Sequence, residues 1–372
     1  MNLIINKNKI YFISSIIISF LFISLFNSCQ DDNSTTEKKL IVINVTQDID
    51  TETYWKSANL YIISKPEFKI NKTLIIQAGT IVKFKSDAGR SITVTYGGQL
   101  LAQGSIANPI YFTSYFDDAN GGDSNLDNNS TSPTQGNWDY IILNGNSGSL
   151  FDNCKFLYGG GNKENPSTII IGENSTATIS KSVFAFNNGG SFELGLGVVD
   201  ASNCLSTTKV YKNNFYNNNL PLVVNSNMNI DSTNNFKNIN DTLQKNKYNA
   251  IIVNTESKLI NHVQWYEDEV AIVVRGTTLT VASNASIIFG NNVVLKFSKN
   301  SKLILDGENS TLINNDGPGV TFTSVYDDAR KGDSNGDGSL TAPSNSDWKG
   351  IKTNNPAEFN WSNVFYADTT SE

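Results

Sequence analysis

The stretch TLIIQAGTIVKF, residues 73–84, decides the fold. It reads as two short apolar pieces separated by a turn at Gly79, each too short for a helix. Pieces of the same kind follow at close intervals: ITVTY, QLLAQG, IYFTS and YIILNG. Further along come NCKFLYGG, KSVFAFNNGG, YKNNFYNNN and STNNFKNIN, whose Phe156, Phe184, Phe215 and Phe236 lie 28, 31 and 21 residues apart. That is the length of one coil of a three-sided solenoid. A single coil cannot bury its apolar face, whereas stacked coils bury a continuous column of Phe, Ile and Val. The asparagines beside these positions suit turns and left-handed backbone.

Outward from this core, a long internal repeat is present. FTSYFDDANGGDSNLDNNSTSPTQGNWDYI begins at Phe112 and FTSVYDDARKGDSNGDGSLTAPSNSDWKGI at Phe322. They align without gaps at an offset of 210, with half of thirty positions identical. Trp55 falls opposite Trp265, Asn153 opposite Asn363, and VKF at 82–84 resembles LKF at 295–297. The second copy stops soon after Asn363. The expected units are therefore a first repeat at 39–260 and a partial second at 261–372.

Composition agrees. Charged residues are 17% and hydrophobic ones 39% of 372, so a substantial core is expected and wholesale disorder is not. Asn, Ser, Thr and Gly are abundant beside many aromatics, which suits short strands joined by polar turns. The formal charge of −7 gives no electrostatic footprint for nucleic acid.

The N-terminus carries Lys7 and Lys9, then an apolar run from Ile10 to Phe26 broken only by serines, ending at Asn27-Ser28-Cys29. This is the layout of a secretory signal peptide over residues 1–28. A cysteine placed there resembles a bacterial lipobox, although Phe26 and Asn27 replace the usual leucine and small residue. Followed by Gln30-Asp31-Asp32, it is similar to lipoproteins of the Bacteroidetes. The resemblance implies lipidation of Cys29, a membrane partner reached through that lipid, and an outer-membrane location with the chain open to the cell surface. Polar residues 29–38 read as a flexible tether.

The run Leu74-Ile76-Gly79-Val82-Lys83-Phe84, then Leu100-Ala102-Gly104, then Pro109-Ile110-Phe112-Thr113-Ser114, resembles right-handed parallel β-helix proteins of the pectin-lyase-like class. The resemblance covers nearly all of residues 40–372. It implies an all-β solenoid with long acidic loop insertions, and says little of function, because this fold hosts lyases, hydrolases, adhesins and passive stalks alike. A pair of β-sandwiches is the structural rival.

The acidic loops are the candidate site. Asp333-x-Asn335-x-Asp337-Gly338 sets oxygen side chains at alternate positions and ends in a residue that permits a tight turn. Calcium needs six to eight oxygens, and loops of this kind present them so. The position of an EF-hand glutamate is Ser344, so this is not a full EF-hand. Asp327 and Asp328 lie upstream as candidates for the missing carboxylate. The first copy offers Asp117, Asp118, Asp123, Asn125 and Asp127, with Asn128 in place of the glycine. Calcium is the expected cofactor. The tighter site is expected in the second loop.

Other chemistry has less to stand on. Asp117-Asp118 and Asp327-Asp328 are adjacent pairs, but neighbours on a strand point opposite ways. Arg330-Lys331 offers a lyase-type base in the second copy, where the first has Asn120-Gly121. His262, the only histidine, excludes multi-histidine metal sites within one chain. Trp138 and Trp348 follow the acidic loops; they read as packing anchors, with sugar-stacking platforms as the other reading. Cys154 and Cys204 read as buried apolar side chains rather than a disulfide. The expectation is a monomeric, lipid-anchored surface-display or binding protein, with a glycan or surface protein as ligand. A polysaccharide lyase or glycoside hydrolase is the alternative.

Overall fold

The computed structural model describes residues 40–368 except 58, 88, 89, 146 and 147. The signal segment 1–28, the tether 29–38 and Cys29 lie outside the described residues.

The chain is all-β, with 39% of it in strands and 2% helical. Successive strands go to different sheets. Thr53–Trp55 belongs to a six-stranded sheet, Asn59–Ile63 to a seven-stranded one and Phe68–Ile70 to a ten-stranded one. The cycle then repeats with Thr73–Ile76, Ile81–Phe84 and Ile92–Val94. Each strand pairs in parallel with its counterpart one cycle on: Leu74 with Leu100, Val82 with Phe112, Ile70 with Val94. Two three-stranded parallel sheets complete the C-terminal part. Among the described residues the one antiparallel pair joins Lys237–Asn238 to Asp241–Lys245. Long parallel sheets visited in rotation are compatible with the expected parallel β-helix.

Register explains the sequence pattern. In Thr73–Ile76 and Gln99–Gln103, Leu74, Ile76, Leu100 and Ala102 are buried while their neighbours are partly open. Phe112 pairs with Phe156, Phe156 with Phe184 and Phe184 with Phe215. Their rings stack with centroids 4.9, 4.7 and 4.8 Å apart, and Phe236 continues the column at 5.6 Å. The spacing of these phenylalanines is therefore the length of chain between successive parallel partners. The asparagines near them do more than shape turns. Asn187, Asn218 and Asn246 form a buried ladder in which each Oδ1 accepts from the backbone N–H one coil before, at 2.8–3.3 Å. Each Nδ2 donates to a phenylalanine carbonyl: Phe156, Phe184 and Phe215 respectively. Backbone groups that turn away from the sheets inside the core are satisfied this way.

The ten-stranded sheet runs from Phe68–Ile70 to Val320–Ser324, so it continues unbroken across position 260. Residues from Leu40 onward form one compact unit. The two repeat copies nonetheless occupy different sheets. Phe112 lies on a strand of the seven-stranded sheet, and Phe322 on the last strand of the ten-stranded one. The outer face of the ten-stranded sheet carries a second apolar cluster, in which Val223, Ile252, Val273 and Val294 pack with Phe192, Tyr248 and Val325. Among the described residues, Cys154 and Cys204 are buried and form no disulfide.

Candidate metal centre

Strand Ile81–Phe84 turns Val82 and Phe84 to the core, which sends Lys83 to the opposite face. Lys83 is nevertheless completely buried, because the acidic loop after Ser114 folds back over it. Its Nζ donates to Gly122 O at 2.8 Å and to Ser124 Oγ at 2.7 Å. Burial pushes this amine down to about 8, while Asp117, Asp118 and Asp123 pull it up. Lys296 repeats the arrangement beneath the second loop, donating to Gly332 O and Ser334 Oγ at 2.7 and 2.9 Å. It too is buried, and is pushed down to about 8 by the same cause.

The first carboxylate of each loop anchors its base. Thr113, paired with Lys83 across the sheet, donates to Asp117 Oδ2 at 2.5 Å, and Asn120 Nδ2 donates to the same oxygen at 2.8 Å. In the second loop Thr323 and Arg330 both reach Asp327 Oδ2 at 2.6 Å. Asp117 and Asp327 are thus turned to their own strands, apart from the carboxylates that converge further out.

Those are Asp118, Asp123 and Asp127, which each present an oxygen within 4.8 Å of the others, and Asp328, Asp333 and Asp337, which do the same. Asn125 and Asn335 lie between them, donating to Asp127 and Asp337 at 2.7 and 2.9 Å. Among the described residues, five buried oxygens of the two groups have no hydrogen-bond partner: Oδ1 of Asp118, Asn125, Asp328, Asn335 and Asp337. Desolvation, then the charge of Asp123, raises Asp118 above the usual carboxylate range; desolvation, then Asp333, does so for Asp328. Thr131 and Thr341 hydroxyls hold Asp127 and Asp337 below it. Such a set of oxygens, with excess negative charge and orphaned acceptors, suits a hard divalent cation. Among the described residues, no histidine or cysteine belongs to either group.

The turn chemistry differs between copies. Asp333 accepts from Gly336 N and Gly338 N at 2.6 and 2.7 Å, and both glycines have positive φ. In the first loop the same conformations fall to Leu126 (φ +59°) and Asn128 (φ +55°), with Asn129 (φ +64°) after them. The exchange of Gly338 for Asn128 was expected from sequence; the leucine in a left-handed conformation was not.

Trp138 and Trp348 are completely buried, which agrees with their reading as packing anchors and leaves no exposed ring for a sugar platform. Each lies flat on a phenylalanine, Phe84 at 4.1 Å and Phe297 at 4.2 Å. Each donates its indole N–H to a backbone carbonyl, Leu157 O and Phe365 O. They lock the chain back into the sheets where each loop ends. Arg330 is held by Asp327 and lies 3.9 Å from the Phe365 ring centroid, and Lys331 donates to Asp268 O. Both cations of the lyase-type pair are therefore occupied. His262 sits on strand His262–Trp265 with Nδ1 2.9 Å from Ser286 Oγ, a strand-surface role.

Lys83 and Lys296 escaped the sequence reading, although VKF and LKF had been matched. A lysine at the same strand position in both copies, one residue before the partner of the serine that opens the loop, was the available signal.

No family model matches the chain, and no curated protein or solved structure matches it.

Proposed function

We propose that this chain is a right-handed parallel β-helix, tethered to the outer membrane by lipid on Cys29, whose two acidic loops each hold one calcium ion and serve surface display or binding. The five buried, unpartnered oxygens of the two carboxylate groups carry the calcium reading. Buried acceptors without partners are costly, and like-charged carboxylates this close repel. A bound cation would answer both. Asp118, Asp123, Asn125 and Asp127 would hold one ion, and Asp328, Asp333, Asn335 and Asp337 the other. The lipobox-like Ser28-Cys29 supports the anchor, and the rotation of strands through parallel sheets supports the helix.

Here calcium braces loops and does not drive folding. The stacked core stands without it, unlike small domains that need metal to fold. Binding still stabilises the folded state by mass action, about 2.7 kcal/mol at a hundredfold excess over the dissociation constant. The test is calorimetric titration of the full chain in mild detergent. Two calcium sites are expected, falling to one in the Asp333→Asn/Asp337→Asn variant with its circular dichroism unchanged. No heat at millimolar calcium, or identical titrations, rules the sites out. For the anchor, Cys29→Ser is expected to leave the membrane fraction or persist as uncleaved precursor; unchanged size and retention refute it.

A further inference from the structure

One row of residues crosses the outer face of the ten-stranded sheet: Ile142, Ile170, Asp200, Val223, Ile252 and Val273, each paired with the next. Their strand neighbours Ile171, Ala201 and Val224 belong to the main core. Five of the row are aliphatic and one is a carboxylate. Asp200 is nevertheless only 6% exposed. Among the described residues Ser202 is its sole partner, donating its backbone N–H to Oδ1 at 3.0 Å, and no lysine or arginine pairs with it. Desolvation holds this carboxyl above the usual carboxylate range. A buried charge with no cation beside it costs stability, and Val223 shows what suits the row. Asp200 is thus a residue that the sheet does not need.

Asp200 and Ile170 form part of the buried floor of an open pocket of about 440 Å3. Glu173 and Glu256, both exposed, line it as well, and among the described residues no lysine or arginine does. Two cations near in the chain are engaged elsewhere. Lys258 pairs with Asp306 at 2.5 Å, and Arg275 donates to Glu193 O at 2.7 Å. The pocket is braced from later coils. Asn254 Nδ2 donates to Ser202 O and Asn225 Nδ2 to Cys204 O, each at 3.3 Å, so both hold the turn that follows Asp200. Their own Oδ1 atoms already accept from Glu256 N and Asn227 N. The three carboxylates are what the pocket offers a ligand.

Three carboxylates without a basic neighbour select a cation, and their spacing selects its kind. In each acidic loop three carboxylates bring oxygens within 4.8 Å of one another, and among the described residues no other acidic trio does so. Glu173, Asp200 and Glu256 are therefore too spread to close together on one metal ion. A cation carrying several separated charges matches them. An aliphatic polyamine has ammonium groups along a methylene stem, which can lie on Ile170 while its heads meet carboxylates. The pocket is of small-molecule size and does not admit a folded partner.

We propose that this pocket binds an aliphatic polyamine, with one ammonium group against Asp200, the methylene stem over Ile170 and further ammonium groups at Glu173 and Glu256. The proposal does not rest on the calcium reading, and the two are kept apart by working in saturating calcium. The full chain in mild detergent is titrated by calorimetry with spermidine, butylamine, magnesium and tetralysine. Spermidine is expected to bind one to one, at least tenfold more tightly than butylamine or magnesium. Asp200→Asn keeps an acceptor for Ser202 N and is expected to lose tenfold or more in spermidine affinity. Asp200→Val is expected to bind no spermidine and to melt at a higher temperature than the amine-free wild type, since the row becomes wholly aliphatic. A merely structural carboxylate would lower the melting temperature in both variants. Glu173→Gln/Glu256→Gln is expected to bring spermidine down to the affinity of butylamine. No heat from spermidine at millimolar concentration, or wild-type affinity in Asp200→Asn, overturns the site. Unchanged affinity in the double glutamine variant, or magnesium binding as tightly as spermidine, overturns the polyamine assignment. Binding of tetralysine without binding of spermidine replaces it with a basic peptide.

Discussion

The indole of Trp138 lies flat against Phe84, with centroids 4.1 Å apart and planes 4° from parallel. Phe84 neighbours Lys83 on the same strand, so the residue that ends the acidic loop and the residue that ties its middle down act on adjacent positions. Loop entry, crest and exit are thereby fixed by Asp117, Lys83 and Trp138, and the converging carboxylates sit on a rigid base. The second copy repeats this with Asp327, Lys296 and Trp348. Four expectations follow from such details.

The second loop is expected to bind calcium several-fold more tightly than the first. A left-handed conformation costs a residue with a side chain about 1–2 kcal/mol, and Leu126 and Asn128 adopt it where the second loop has Gly336 and Gly338. Single-site chains made by Asp123→Asn/Asp127→Asn and by Asp333→Asn/Asp337→Asn, titrated side by side, give the order. A tighter first site contradicts the strain argument.

Lys83→Met is expected to destabilise the chain by roughly 2 kcal/mol in chelator, because Gly122 O and Ser124 Oγ lose their donor. It also leaves Asp117, Asp118 and Asp123 without their buried cation. Saturating calcium neutralises part of that charge, so the loss should shrink when denaturant unfolding is repeated with calcium. An equal loss in both conditions separates the lysine from the carboxylate cluster.

Glu267 gives the chain a pH dependence of known sign. It is fully buried, its Oε1 accepts from Glu269 N and Val270 N, and its Oε2 has no partner among the described residues. Desolvation pushes it from 4.5 up to about 8. The folded state then holds a proton that the unfolded state has released, so its contribution to stability is full below 4.5 and is lost as pH rises to about 8. Glu267→Gln stays neutral and should show a flatter profile across that window, with its advantage largest at the alkaline end. Parallel wild-type and variant melting curves across the window exclude a protonated Glu267.

Asn218→Ala is expected to cost roughly 3 kcal/mol, since it strands the Asn187 N–H and the Phe184 carbonyl inside the core. Asn219→Ala, one residue on and partly open, should cost about 0.5 kcal/mol. Chemical denaturation of both variants separates a ladder residue from an ordinary turn asparagine, and equal losses refute the distinction.

Several features were legible without coordinates. Phenylalanine spacing gave the length of chain between parallel partners, because each pairing places one ring on the last. The duplicated acidic text located the loops, and Asp-x-Asn-x-Asp spacing named most of the converging oxygens. Asp117 and Asp327 could not be separated from Asp118 and Asp328 in that text. Adjacent residues point opposite ways, and only the position of Thr113 and Thr323 across the sheet shows which carboxylate turns inward.

What the sequence determined by itself is periodic and local: short strands, their spacing, the repeat, and the left-handed turns that favour Asn and Gly. What the tertiary structure decided is everything that depends on which coil lies beside which. The two copies sit on different sheets, Lys83 and Lys296 are covered by loops that start some thirty residues later, and the tryptophans are sealed against phenylalanines. Parallel pairing converts the 28 residues between Phe156 and Phe184 into a single ring contact.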